Sequence, residues 1–274
     1  MGNMITTFGG FALASRGNID LGLLLATLLG LAFVIASACV VNNYTDREID
    51  KKMERTKNRA FVKGVVLEKH ALLFAALLGV LGFSVLISFT NTLTTLIALF
   101  GFFVYLVLYA ILKRLSIHGT FIGSIAGAVP PVVGYCAVSN HFDLAACLLF
   151  LILVFWQMPH FFAIALYRFQ DYRAASIPVL PIKRGLQTTK IYSQFYIVIF
   201  LLAAISLTFF GYTGYGYLVI ASLLGLTWFF LAMRNLTEEN SVIWARKMFR
   251  FSLVVITILF MAISLDGATE TFLS

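Results

Sequence analysis

The sequence predicts an all-α, polytopic membrane protein with about nine transmembrane helices around a central cavity open to the cytoplasmic face. The first observation is composition: 61% of the 274 residues are hydrophobic and 12% are charged. Such a chain has too little polar surface to cover a water-soluble fold of this size, so its solvent must be lipid. The other two observations are a series of long charge-free stretches and a one-sided distribution of Lys and Arg.

Seven charge-free stretches approach the roughly 20 residues that cross a bilayer as a helix. They are residues 21–41, 71–89, 93–112, 119–138, 144–167, 191–212 and 215–233. An eighth stretch, 251–265, becomes long enough if residues 248–250 join it and Arg250 extends its charge to the membrane interface. The ninth, residues 4–15, is short, and we expect the first helix to be truncated at its start.

We number the spans in chain order, with residues 4–15 as the first. Positive charge lies almost entirely in the loops after the even-numbered spans, and these loops share one side of the membrane. Only Arg16 lies on the other side. By the positive-inside rule this basic face is cytoplasmic, or faces the matrix in an organelle, and a bacterial plasma (inner) membrane is the expected location. The net charge of +8 is therefore mainly a topology signal and does not indicate a nucleic-acid partner.

We expect a single membrane domain over residues 1–274, because the longest polar segments are too short to form a separate core. These segments, 42–70 and 168–190, lie on the basic face and are expected to be active-site loops. Pro130, Pro131 and Pro159 are expected to interrupt two spans at membrane depth, and such breaks commonly line a cavity.

The clearest polar motif lies at the end of the second span. Asn42, Asp46 and Asp50 are spaced by four, so on a helix they form one stripe within an arc of about 80°. Carboxylate and amide oxygens suit Mg²⁺, and the following Arg55 and Arg59 suit phosphate oxygens. The alternative is a solvated helix end whose charges are only surface charges.

The second polar loop supplies further candidates that face the same compartment. Asp171 lies among cations, and Tyr109 and Lys113 end the fourth span on the same side. A magnesium-bridged diphosphate would bind both the acids and the cations, although a single Asp at a helix end is often structural. The other candidate binding residues of this second loop are Tyr167, Lys183 and Arg184.

His160 is the one histidine placed well inside a span. An ionisable residue at that depth is a functional candidate by default, and about 10 Å of helix separate it from Tyr167. It could reach an apolar acceptor below a diphosphate held at the cavity mouth. The alternative is a histidine that is only hydrogen-bonded to a neighbouring helix.

Several motifs resemble one known family. The run Asn-Asn-x-x-Asp-x-x-x-Asp from Asn42, followed by Glu-Arg-Thr-Lys-Asn-Arg from Glu54, resembles the first Asp-rich motif of the UbiA superfamily of intramembrane prenyltransferases. The run Trp-Gln-Met-Pro-His ending at His160 is typical of its haem-modifying branch. The resemblance implies Mg²⁺-dependent transfer of farnesyl from farnesyl diphosphate to a vinyl group of haem B, with addition of water and possible hand-over of the product to a terminal oxidase or haem A synthase.

The resemblance also implies roles for individual residues. Asn42, Asp46 and Asp50 match the metal and diphosphate motif, and His160 matches the haem-branch histidine, either as an iron ligand or as a group that orients porphyrin or water. The diphosphate contacts are carried over to Arg55, Arg59, Tyr109 and Lys113. Two departures are Ala175, where quinone-pathway members carry a second acid after Asp171, and Ala60, where many members have Pro.

Three other functions remain open on the sequence alone. A quinone-pathway prenyltransferase is disfavoured by Ala175 and by the run that ends at His160. A transporter would place its functional polar groups at the bilayer midplane, whereas here most of them lie at one membrane edge. A haem-binding scaffold without chemistry would not need two Asp-containing helix ends.

Overall fold

The computed structural model describes the backbone of residues 2–273 and the side chains of residues 2–266. In this part of the chain every regular element is helical, which confirms the predicted all-α class. The helices are α1 (Gly2–Ser15), α2 (Leu21–Thr45), α3 (Arg47–Asp50), α4 (Glu68–Phe89), α5 (Thr92–Phe103), α6 (Ala110–Leu115), α7 (Gly119–Gly127), α8 (Val129–Ser139), α9 (Leu144–Tyr167), α10 (Phe169–Ala174), α11 (Leu180–Phe209), α12 (Tyr215–Met233) and α13 (Ser241–Leu273).

Eight stretches of the described residues are long and apolar enough to cross a membrane, so the chain is an integral membrane protein. Helices α5 and α6 are joined by a π-helical segment, Val104–Tyr109, and together form one span, Thr92–Leu115. Helices α7 and α8 form another, Gly119–Ser139. The predicted ninth helix is α1, which has 14 residues.

Helix α1 packs against α8 and α13, so it is part of the bundle despite its length. The contact with α8 depends on glycine. A Cβ atom on Gly10 would lie 2.0 Å from the carbonyl oxygen of Pro131, and one on Gly134 would lie 2.0 Å from the carbonyl oxygen of Thr7. The two backbones therefore approach to a distance that no side chain permits, as small residues allow in membrane helix pairs.

Helix α9 is the centre of the bundle. It packs against α11, α13, α7 and α8, and Leu149 and Ile152 on it are completely buried. Helices such as α4 instead expose large apolar side chains, among them Leu73, Leu77 and Leu81. An apolar exterior of this kind is stable only against lipid.

The prolines act differently in the two spans that contain them. Helix α7 ends at Gly127 and α8 begins at Val129, with Pro130 and Pro131 in its first turn, where a missing N–H costs little. The expected interruption at Pro159 is wrong, because α9 runs continuously through it. Proline removes one backbone hydrogen bond, and a membrane helix held between packed neighbours tolerates that loss.

The two polar segments are partly helical. Asn42 still belongs to α2, and the backbone N–H groups of Asp46 and Asp50 donate to the carbonyls four residues earlier, so the expected stripe forms. In the second segment, α10 follows α9 directly and α11 begins at Leu180, with a non-helical glycine, Gly185 (φ 80°), near its start. Only residues around 175–179 form a true loop there.

Candidate active site

Two of the cavities formed by the described residues are central to the site, one near the basic face and one deeper among the spans. A further cavity, about 800 Å³, is lined by Glu54, Arg168 and Asp171. The outer cavity, about 470 Å³, has cations and hydroxyl groups on its wall, including Arg55, Lys113, Arg168 and Tyr172. The inner cavity, about 400 Å³, is mainly apolar and is lined by four polar or aromatic residues of α9: Trp156, Gln157, His160 and Phe161.

Asp46 is held by two cations of α6, at the end of the span Thr92–Leu115. Its Oδ2 atom accepts hydrogen bonds from Lys113 Nζ at 2.5 Å and from Asn42 Nδ2 at 3.0 Å, and its Oδ1 atom accepts one from Arg114 Nη2 at 3.2 Å. Lys113 Nζ also donates to Asn42 Oδ1 at 2.9 Å. The ammonium therefore joins the two residues at the start of the predicted metal stripe.

Asp50 forms a separate ion pair. Its Oδ2 atom accepts a hydrogen bond of 2.7 Å from Arg59 Nη1, and the carboxylate is buried. Thr56 donates to the carbonyl of Asp50 and turns the chain back after α3. Asp46 and Asp50 thus lie behind cations rather than on the wall of the outer cavity.

Asp171 on α10 meets the first polar segment from the opposite side. Its Oδ1 atom accepts a hydrogen bond of 3.0 Å from the backbone N–H of Glu54. Its Oδ2 atom is buried without a hydrogen-bond partner among the described residues, and Arg168 Nη1 is 4.0 Å away. An unpaired buried carboxylate oxygen is costly, so it marks a place where a cation can bind.

An aromatic ladder connects the π-helical segment to the acids. The rings of Tyr105 and Tyr109 stack at 5.5 Å, and Lys113 Nζ lies 5.0 Å from the centroid of Tyr109. The extra residue per turn in a π-helix often occurs at functional sites. Here the π-helical segment lies just before α6. Tyr105, which lines the inner cavity, and Tyr109 and Lys113, which line the outer cavity, follow one another at a spacing of four.

Tyr167 closes the other side of the outer cavity. The guanidinium groups of Arg168 and Arg246 lie 4.6 and 4.7 Å from its ring centroid. Tyr172 also lines this cavity, and burial raises the pKa of its hydroxyl, with Arg55 acting in the opposite direction. Tyr172 is therefore a neutral hydrogen-bond donor at physiological pH.

His160 lies on the wall of the inner cavity. Its ring stacks on Trp156 at 4.6 Å and contacts Phe249 at 5.1 Å, and its Nδ1 atom is 2.7 Å from Ser252 Oγ. Phe161, the next residue on α9, lines both cavities. The cationic chamber and the apolar chamber are therefore neighbours across one aromatic side chain.

Two expected binding residues do not join this group. Lys183 and Arg184 lie in the first turns of α11, are exposed, and line neither cavity. The reason is that Leu180 and Pro181 occupy the buried positions at the start of that helix. The structure therefore does not bring Lys183 or Arg184 to either cavity.

Sequence reasoning also missed several residues of the site. Arg114 carries no signal in the sequence beyond its positive charge on the basic face, although its guanidinium donates a hydrogen bond to Asp46. Tyr105 could have been found from the sequence, because it precedes Tyr109 by four residues, just as Tyr109 precedes Lys113. Phe161 and Ser252 carry no sequence signal, because a phenylalanine or serine in an apolar span is ordinary.

The predicted metal ligands do not surround a common centre in this arrangement. Among the described side chains, no three of the His, Cys, Asp and Glu type converge as a metal site. The donor chemistry nevertheless fits magnesium: Asn42 Oδ1 and Asp46 Oδ2 already share one cation, the ammonium of Lys113, and Asp171 Oδ2 is unpaired.

Comparison with known proteins gives a family match over most of the chain. The model of the UbiA prenyltransferase family matches residues 3–254. A protoheme IX farnesyltransferase of Protochlamydia amoebophila is 53% identical over 266 residues, which are 97% of this chain and 94% of that relative.

Solved structures share the fold at low identity. A digeranylgeranylglyceryl phosphate synthase superposes with a TM-score of 0.80 at 21% identity, covering 97% of this chain and 93% of the other. A UbiA homologue from Archaeoglobus fulgidus bound to DMAPP and Mg²⁺ superposes with a TM-score of 0.69 at 15% identity, covering 94% and 96%.

Proposed function

This chain belongs to the UbiA prenyltransferase family, and on that premise we propose that it transfers a farnesyl group from farnesyl diphosphate to a vinyl group of haem B. Water adds in the same reaction, and the products are haem O and diphosphate. The observation that carries the proposal is the cationic outer cavity that adjoins, across Phe161, an apolar cavity containing His160. The identity to a protoheme IX farnesyltransferase supports the choice of donor and acceptor.

The outer cavity is the proposed diphosphate site. Arg55, Lys113 and Arg168 line it, and guanidinium and ammonium groups are the usual partners of phosphate oxygens. Tyr109 and Tyr172 add hydroxyl groups at the same wall. These cations stabilise the charge that builds up on the diphosphate as the carbon–oxygen bond breaks, which is the main way in which such sites lower the barrier.

Magnesium is the proposed cofactor, as in the UbiA homologue solved with DMAPP and Mg²⁺. Asn42, Asp46 and Asp50 would hold it, with Asp171 as a further carboxylate. Bound magnesium would neutralise part of the diphosphate charge and so make diphosphate a better leaving group.

Lys113 connects metal loading to donor binding. It occupies Asn42 Oδ1 and Asp46 Oδ2 and also lines the outer cavity, so it must leave these oxygens before they can bind a metal ion. A diphosphate in the outer cavity supplies the alternative anionic partner for its ammonium. Arg59 likewise occupies Oδ2 of Asp50, but it does not line the outer cavity.

The apolar surroundings protect the reactive carbon. When the farnesyl carbon–oxygen bond breaks, the electron pair leaves with diphosphate, and the allylic cation lies among aromatic rings such as Phe161 and Tyr109. The vinyl group of haem B forms the new carbon–carbon bond. The resulting cation beside the porphyrin takes up water and loses one proton. Exclusion of bulk water prevents hydrolysis of the first cation.

The cellular setting is part of the proposal. The basic face is assigned to the cytoplasm by the positive-inside rule, which places the active site at the inner side of a bacterial plasma membrane. Residues 1–274 act as one domain, with the segments 42–70 and 168–190 covering the cavity mouth. The haem product is then passed to a terminal oxidase or to haem A synthase.

Mass spectrometry tests the reaction directly. Detergent-purified protein is incubated with haem B and farnesyl diphosphate, with and without Mg²⁺, and we expect farnesylated haem only when Mg²⁺ is present. An aromatic acid offered as the acceptor tests the quinone-pathway alternative. Folded protein that gives no farnesylated haem, or that prenylates the aromatic acid instead, would overturn the proposal.

A further inference from the structure

Ser252 on α13 contacts two ring side chains of α9. Its backbone carbonyl accepts a hydrogen bond of 2.9 Å from Trp156 Nε1, and its Oγ atom is 2.7 Å from His160 Nδ1. Ser252 is completely buried, and Trp156 and His160 are nearly so. A single residue therefore sets the orientation of both stacked rings on the wall of the inner cavity.

The hydrogen bonds of Ser252 determine the tautomer of His160. Ser252 Oγ is 2.6 Å from the carbonyl oxygen of Phe249, and a carbonyl can only accept. The single hydroxyl proton is thus used there, so Ser252 Oγ accepts from His160 Nδ1–H. The neutral imidazole then carries its lone pair on Nε2.

The Nε2 atom is available to a ligand. It makes no hydrogen bond to any side chain or backbone group in the described part of the chain, and His160 lines the inner cavity. Gln157 lines the same cavity, and its Oε1 atom is buried without a partner among those residues. A hydrocarbon tail as the only occupant would leave both groups unsatisfied, which is costly in an apolar site.

We propose that Ser252 is a positioning residue that directs Nε2 of His160 to the iron of the haem acceptor in the inner cavity. The inference rests on the proposed function, because haem B is the acceptor there. Neutral imidazole nitrogen is a common ligand of haem iron, and a hydrogen bond at the other ring nitrogen orients such ligands. His160 touches the acceptor, and Ser252 acts through it.

Titrations with two porphyrins distinguish iron ligation by His160 from general packing in the cavity. Purified protein is titrated with ferric haem B and, in parallel, with iron-free protoporphyrin IX, and absorption spectra are recorded. We expect His160→Ala to lose the spectrum of imidazole-ligated haem and to regain it when imidazole is added. Ser252→Ala should weaken haem B binding about 10-fold. Neither variant should change the affinity for iron-free protoporphyrin IX more than about twofold.

Ser193→Ala is the matched control. Ser193 is likewise completely buried in a span and donates to a backbone carbonyl, that of Thr189, at 2.8 Å. It lines neither cavity, so this variant should bind both porphyrins like the unmodified protein.

Three results would overturn the inference. An unchanged haem spectrum in His160→Ala would show that Nε2 is not the iron ligand, and equal losses of both porphyrins in Ser252→Ala would show a packing role only. In either case farnesylated haem would still form in the unmodified protein, so the proposed function would stand. Failure of the unmodified protein to bind haem B and to form farnesylated haem would instead overturn both.

Discussion

The ammonium nitrogen of Lys113 lies 2.5 Å from Oδ2 of Asp46, a residue that precedes it by 67 positions. Both side chains are buried. The pair joins the end of the second span to the end of the fourth, beside the outer cavity. The pair has two roles. It holds two helices together, and it occupies an Asp46 oxygen that is predicted to bind a metal ion.

Replacing Lys113 by Met should separate metal binding from donor binding. We expect Lys113→Met to bind Mn²⁺ without diphosphate, because Asn42 and Asp46 lose the cation that occupies them. Unmodified protein should bind Mn²⁺ well only after inorganic pyrophosphate is added. Electron paramagnetic resonance of free Mn²⁺ measures Mn²⁺ binding by the variant and by the unmodified protein. Turnover of Lys113→Met should fall about 100-fold, because one cation that stabilises the leaving group is missing.

Lys51→Met is the control for that variant, since Lys51 forms an exposed pair with Glu48. It should change neither Mn²⁺ binding nor turnover. If Lys113→Met bound Mn²⁺ no better than unmodified protein in the absence of pyrophosphate, the proposed exchange would be wrong.

Asp46→Asn should abolish turnover and also lower stability. Removing one partner of a buried ion pair leaves Lys113 uncompensated, which costs about 3 kcal/mol. The double variant Asp46→Asn with Lys113→Met removes both charges and should recover part of the loss in the thermal unfolding midpoint, without recovering activity. Equal midpoints for the single and double variants would contradict this account of the pair.

Two variants of Asp171 distinguish its structural role from its proposed role in metal binding. Asp171→Asn keeps an oxygen that can accept from the N–H of Glu54, so stability should change little, while the Mg²⁺ concentration needed for half-maximal rate should rise about 10-fold. Asp171→Ala leaves that N–H unpaired and should cost about 1–3 kcal/mol in addition. Rates in Mg²⁺ titrations and thermal unfolding together provide the test. An unaltered Mg²⁺ requirement in Asp171→Asn would remove this residue from the metal site.

Gly10→Ala tests whether α1 contributes to the fold. The added Cβ would lie 2.0 Å from the backbone oxygen of Pro131, which cannot move aside as a side chain can, so we expect a loss of about 1–3 kcal/mol. Gly2→Ala is the control, because no neighbouring atom lies within 4 Å of its added Cβ. Similar thermal unfolding midpoints for the two variants would mean that the contact between α1 and α8 is not tight.

Much of the site was accessible from local spacing. The stripe of Asn42, Asp46 and Asp50 was expected, because residues four apart on one helix are neighbours whatever the rest of the fold does. The same rule placed Tyr109 above Lys113. Lys183 and Arg184 were proposed on a different ground, since they belong to the same polar segment as Asp171. Sharing a segment says nothing about which face of α11 is buried.

The amino-acid sequence by itself determined that this protein is a helical membrane protein, which face is basic, and which acids and cations lie at that face. Composition and local periodicity encode those properties. Only the tertiary structure decided that Lys113 neutralises Asp46, that Arg59 neutralises Asp50, and that Ser252 holds His160. These contacts join separate segments of the chain, and their partners are chosen by how the helices pack, which no local pattern of residues records.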